Sequence, residues 1–196
     1  VLYAFESMQC QSQEPIWRPC DWLIGPELPS SVRSWLLDEG SLTARLLRVH
    51  HGDFRVQLLR QEWQKPRPSE SRLLNLRNRE WVLAREVVLW GGGEPRVYAR
   101  SVIPATSLRG RLRKLRALEE GSLGAMLFKD RSMSRGHYEL ARFDGNSPCL
   151  PNDLHSDQCL WGRRSRFSLR GRPLMVSEIF LPAFQHSVAS GDSRSA

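Results

Sequence analysis

The sequence predicts an α+β fold: a single domain with an antiparallel β-sheet and helices grouped in blocks beside it. Three observations predict it. The chain has 196 residues, the length of one ordinary domain. Its strand-like segments follow one another across glycine turns, with helices before and after, which is the pattern of hairpins and not of alternating parallel β-α units. Its 40% hydrophobic content, with seven Trp and seven Phe, supplies a core and excludes a wholly disordered chain. No run of ~18 apolar residues occurs, so no transmembrane helix and no membrane insertion is expected.

Residues 1–27 are expected to form a poorly ordered arm, with the folded domain running over 28–186. Ser30 or Ser31 can cap a first helix whose Val32, Trp35 and Leu36 share a face, with Gly40 as its stop. Ser41 can cap a second, carrying Leu42, Leu46 and Val49 and ending by Gly52, so the two make a helical hairpin. Alternation at Phe54, Val56 and Leu58 predicts a strand over 53–63, and two prolines predict a loop over 65–71. Strands over 81–90 and 96–103 flank Gly91-Gly92-Gly93-Glu94-Pro95 and form a hairpin. Leu108, Leu112, Leu115 and Leu118 predict a basic helix over 106–120, followed by a short helix from Ser122 to Phe128. A strand over 134–142 leads into a Cys-, Pro- and Asn-containing loop over 143–159. Two strands, 164–169 and 174–181, are split by Arg170-Gly171-Arg172-Pro173, and the Ser-rich tail over 187–196 is expected to be disordered.

The formal charge is +8, and with three lysines among 29 Lys+Arg, 26 cations are arginine. Such a balance invites a nucleic-acid reading. The arginines are scattered, however, and the one dense run (Arg109, Arg111, Arg113, Lys114, Arg116) overlaps the leucine pattern, as on a helix that buries leucine and solvates arginine. No nucleic-acid partner is expected. Cys10, Cys20, Cys149 and Cys159 lack the close spacing of a zinc site, so no metal is expected. Sparse cysteines and the absence of a basic, then apolar, leader suggest a reducing, cytoplasmic setting. The five histidines form no metalloprotease or deaminase pattern, and the triple glycine precedes another strand, so it is a turn and not a phosphate cradle.

The informative features are charges on apolar strand faces. Trp81, Leu83, Arg85, Val87 and Leu89 share one face by the period of two, and Arg85 is its only charge. Leu174, Val176, Glu178 and Phe180 share another, with Glu178 its only charge. Charges withdrawn from water need partners. Arg85 and Glu178 therefore either pair with each other or hold a polar ligand. Gly121-Ser122-Leu123-Gly124 opens a helix whose first N–H groups, that of Leu123 included, have no partner within the helix. Together these residues suit a ligand with an anionic end and a hydroxyl end.

Seven stretches carry a resemblance: LLDEGSLTARL (37–47), LAREVVL (83–89), GEPRVYARSVIP (93–104), GSLGAMLF (121–128), YELAR (138–142), LWGRRSR (160–166) and GRPLMVSEIFLPA (171–183). In order and spacing the chain resembles the chorismate pyruvate-lyases over about residues 28 to 184. The resemblance implies an antiparallel sheet with helical flaps over an enclosed site. It implies cleavage of chorismate to 4-hydroxybenzoate and pyruvate, the first committed step toward ubiquinone, by a monomer that needs no cofactor. It further implies that Arg85 and the Leu123 N–H bind the ring carboxylate and that Glu178 contacts the hydroxyl end. Leu42 is expected to meet the ligand from the flap, and Arg100 is a further candidate for an anionic contact. The alternative is a non-catalytic binding domain of the same fold, as in sensor domains of transcription regulators. About 27 residues before the first helix are too few for a DNA-binding domain.

Overall fold

The computed structural model describes residues 14–22, 28, 30–50, 52–77 and 80–184. Among them, seven strands form one sheet: β1 (Arg18–Pro19), β2 (Phe54–Gln64), β3 (Val82–Gly91), β4 (Glu94–Pro104), β5 (Met133–Phe143), β6 (Leu160–Leu169) and β7 (Arg172–Phe180). Their order is β1-β5-β6-β7-β4-β3-β2, and every neighbouring pair is antiparallel. The expected α+β class with one antiparallel sheet is what the chain forms. The helices are α1 (Ser30–Leu36), α2 (Leu42–Val49), α3 (Pro68–Leu74) and α4 (Leu123–Lys129).

Alternation along the strands divides the core between the two faces of the sheet. On one face Val87, Leu89, Val97, Ala99 and Phe180 pack against Val32, Trp35, Leu36, Leu42 and Leu46 of α1 and α2. Beside them, Leu83, Ile103, Phe167 and Leu174 pack against Leu112, Leu115, Leu123 and Leu127. On the opposite face Val88, Tyr98, Phe143 and Ile179 lie under Cys149 and Leu150 of the 143–159 connection, and Val82, Val102 and Met175 lie under Leu74 of α3.

Four expectations are corrected. The stretch over 65–71 contains the start of helix α3. Pro68 sits in its first turn, where no intrahelical N–H is lost, and Glu70 accepts the N–H of Arg67 at 2.9 Å. The basic segment is a 3-10 helix over Gly110–Ala117, not an α-helix over 106–120. Gly110 takes φ +56°, which breaks the chain from the turn before it. Three residues per turn then align Leu112, Leu115 and Leu118 while Arg113, Lys114 and Arg116 stay exposed. Helix α1 ends at Leu36 rather than at Gly40, and Ser30 and Ser31 lie inside it. Finally, part of the expected arm joins the sheet: Arg18 pairs with Leu140 of β5, and Trp17 packs edge-on to Phe143 with ring centroids 5.5 Å apart. The Ser-rich tail over 187–196 and Cys10 lie outside the described residues.

Candidate active site

The face carrying α1, α2 and α4 is where the apolar strand pattern is broken by charge. Arg85 points from the middle of β3 into this layer and is only 2% exposed. One of its terminal nitrogens, Nη2, donates to the carbonyls of Glu119 at 2.6 Å and Gly121 at 2.9 Å, and its Nε has no partner. Among the described residues no carboxylate pairs with it. Burial pulls its pKa down to about 10, because the interior solvates the cation poorly and no anion offsets the loss. The carbonyls it holds come from a tight bend before α4, in which Glu119 adopts φ +42°.

Arg85 shares a cavity of about 40 Å³ with Glu178 of β7, Leu123 and Gly124 of α4, and Thr43 of α2. Val56, Val87, Leu89, Ala99 and Val176 complete its apolar wall, and Ser101 and Ser122 add hydroxyls. The two helices meet over it. Ser41 caps α2 by accepting from Ala44, Ser122 caps α4 by accepting from Ala125, and the Ser122 hydroxyl donates to Thr43 Oγ1 at 3.0 Å. Leu123 and Gly124 stand in the first turn of α4, where helix geometry leaves N–H groups without an intrahelical partner.

Arg85 and Glu178 do not pair with each other. Glu178 instead accepts from Arg163 Nε at 2.6 Å. Arg163, one of the most deeply buried side chains at 1% exposure, also donates through Nη1 to the carbonyls of Trp35 at 2.8 Å and Asp38 at 2.6 Å. It thus caps the end of α1 and fixes the acid with one guanidinium, which is why α1 needs no glycine at its end. Sequence reasoning missed Arg163. The signal was present, since Trp161, Arg163, Ser165 and Phe167 share the inward face of β6 by the same period that exposed Arg85.

One other expected residue falls elsewhere. Arg100 is on the opposite face: its neighbours in β4, Ala99 and Ser101, line the cavity, so the period of two turns Arg100 away. There it pairs with Glu70 at 2.7 Å and Glu86 at 2.6 Å, so both its charge and its donors are used. Leu42, in the first turn of α2, packs in the core with Val87, Leu89 and Ala99 of the cavity wall, and its neighbour Thr43 lines the cavity itself. Among the described residues no cluster of His, Cys, Asp or Glu is arranged to hold a metal. No described helix is long and apolar enough to cross a membrane.

One small cavity on the antiparallel sheet thus carries an arginine lacking an acid partner at one wall and an anchored acid at another. Residues 12–189 match the family model described as chorismate lyase. The chain is 39% identical over 176 residues to the probable chorismate pyruvate-lyase of Halorhodospira halophila, covering 88% of this chain and 92% of that one. It is 41% identical to the protein of the same name from Methylococcus capsulatus, covering 78% and 95%. The chain belongs to the chorismate lyase family. Among solved structures, PhnF from Mycobacterium smegmatis matches with a TM-score of 0.54 at 15% identity, over 75% of this chain and 66% of that one, a likeness of fold alone.

Proposed function

We propose that this protein is a carbon–oxygen lyase that cleaves chorismate to 4-hydroxybenzoate and pyruvate. The observation that carries the reading, within this family, is the buried Arg85 guanidinium, which lacks an acid partner and shares one cavity with Glu178. A benzoate-type carboxylate placed against Arg85 and the first-turn N–H groups of α4 supplies the missing anion, through charge-assisted hydrogen bonds. The hydroxyl end of the ring then lies toward Glu178.

The chemistry asks little of the protein. The C3–O bond of chorismate breaks, the proton at C4 leaves, and the enolpyruvyl methylene gains a proton to become the methyl group of pyruvate. The ring becomes aromatic, which supplies the driving force. The task of the site is orientation, to which positioned groups contribute most. Arg85 and Leu123 fix the ring. Glu178, held by Arg163, orients the C4 side, and a direct transfer of the C4 proton to the methylene needs no protein base.

The cavity is smaller than its ligand, since about 40 Å³ is close to the space of a single water. Chorismate therefore enters when α2 and α4 part, breaking the Ser122–Thr43 contact, and 4-hydroxybenzoate leaves by the same motion. The reading takes the protein to act as a monomer, without nucleic acid, metal or cofactor, as the resemblance to the family implies. The product feeds ubiquinone synthesis, and a cytoplasmic setting accompanies that reading. Incubation with chorismate alone tests it: 4-hydroxybenzoate and pyruvate are expected in equal amounts. Saturable binding of 4-hydroxybenzoate with no turnover of chorismate would instead make the protein a sensor.

A further inference from the structure

We propose that Arg135 receives the second carboxylate of the substrate, the one on the enolpyruvyl arm, and that the cleft beside it is the path by which pyruvate departs. The inference rests on the lyase reading above and deepens it. Chorismate carries two carboxylates, and only one remains on the aromatic product. Arg85 serves the ring carboxylate, so the other needs a cation of its own.

Arg135 has the required properties. It lies on β5 beside a β-bulge: Arg135 pairs with Phe167 and Tyr138 with Ser165, so Gly136 and His137 interrupt the ladder between them. Without the bulge, residues three apart would point to opposite faces. With it, Arg135 and Tyr138 turn to the same face, and the guanidinium lies 5.4 Å from the ring centres of both Tyr138 and Phe167. Its donors reach only neutral oxygens, namely Ser165 Oγ at 2.9 Å and the carbonyls of Asp38 at 3.3 Å and Glu39 at 3.0 Å. Among the described residues no carboxylate lies within ion-pair distance of it. The buried arginine nearby, Arg163, is already paired with Glu178.

Position completes the case. Arg135 lines a cleft of about 380 Å³ with Glu39, Phe128, Met133, Gly136 and Tyr138, ample for a three-carbon acid. The cleft lies between the loop that follows α1 and the end of α4, the helix whose first turn lines the inner cavity. Ser165 links the two spaces, since it accepts from Arg135 and pairs across the sheet with Val176, which lines the inner cavity. Arg135 is also close enough to Glu178 and Arg163 to feel both charges. Burial, then the positive charge of Arg163, lower its pKa, while Glu178 opposes them.

The test compares two ligands that differ in this one group. In Arg135→Gln the KM for chorismate is expected to rise by about tenfold or more, the worth of a charged hydrogen bond. The Kd for 4-hydroxybenzoate, which lacks the second carboxylate, stays within about twofold. Arg135→Lys keeps the charge without the planar fork, so a smaller rise in KM with an unchanged product Kd is expected, and it serves if the glutamine variant fails to fold. Equal weakening of both ligands would assign Arg135 to holding the loop after α1 and overturn the proposal. So would an unchanged KM. Failure of the wild-type protein to turn over chorismate would overturn the lyase reading itself, and this inference with it.

Discussion

Arg85 is the residue on which the site turns. Its charge is buried without an acid partner, so the empty fold bears a cost that a bound carboxylate relieves. The direction of the pH dependence follows. A cation whose pKa in the folded chain is about 10, below its usual value, releases its proton from the fold before the unfolded chain does. Stability of the ligand-free protein therefore gains from Arg85 as pH rises above about 10, while affinity for a carboxylate falls over the same range. Benzoate has no phenol to confuse the measurement. Its Kd, followed by titration calorimetry, is expected to be flat from neutral pH and to weaken above about pH 10. A Kd that does not change there would show that Arg85 is not the anion's partner. Glu178 is assigned to orientation, so Glu178→Gln, whose amide oxygen can still accept from Arg163, is expected to keep kcat within about tenfold. A loss of ~10²–10⁴-fold, the usual worth of a general base, would assign the proton transfer to Glu178 instead.

At the level of elements, arginines tie strands to helices. Arg163 joins β7 to the end of α1, and Arg100 joins β4 to α3 through Glu70. The second tie lies on the face away from the cavity, and its charge is kept by Glu70 and Glu86 despite burial. Arg100→Met leaves two carboxylates without their partner and is expected to cost roughly 3–5 kcal/mol in denaturant unfolding. The KM for chorismate should not change, and a raised KM at unchanged stability would return Arg100 to the substrate. The sequence carried enough to place Arg100 correctly, because Ala99 and Ser101 set the parity of β4. Helix α3 was legible too, from a proline and a glutamate in its first turn and an asparagine, which takes φ 53°, after its last. The 3-10 segment was less so: leucines at 108, 112 and 115 satisfy an α-helix, and the positive φ of Gly110 emerges only in the folded chain.

Across the whole molecule, strand order and the division of labour between faces follow from hydrophobic alternation. One face is covered by two helical pieces that meet at the Ser122–Thr43 contact, and the other by α3, the 143–159 connection and Trp17. The single sheet was readable from hairpin signals, and Arg85 and Glu178 from being the lone charges in apolar rows. What periodicity could not supply was long-range pairing. That Glu178 belongs to Arg163, that Arg85 takes carbonyls before α4, and that a bulge turns Arg135 inward all depend on strands brought together from distant parts of the chain. The most direct measurement is kcat/KM for chorismate in the wild-type protein and in Arg85→Ala, following 4-hydroxybenzoate and pyruvate together. The expected result is equimolar product from the wild type and a loss of about a hundredfold or more in the variant, whose circular dichroism stays native. Equal activity in the two proteins would contradict the site, and no product from the wild type would contradict the function.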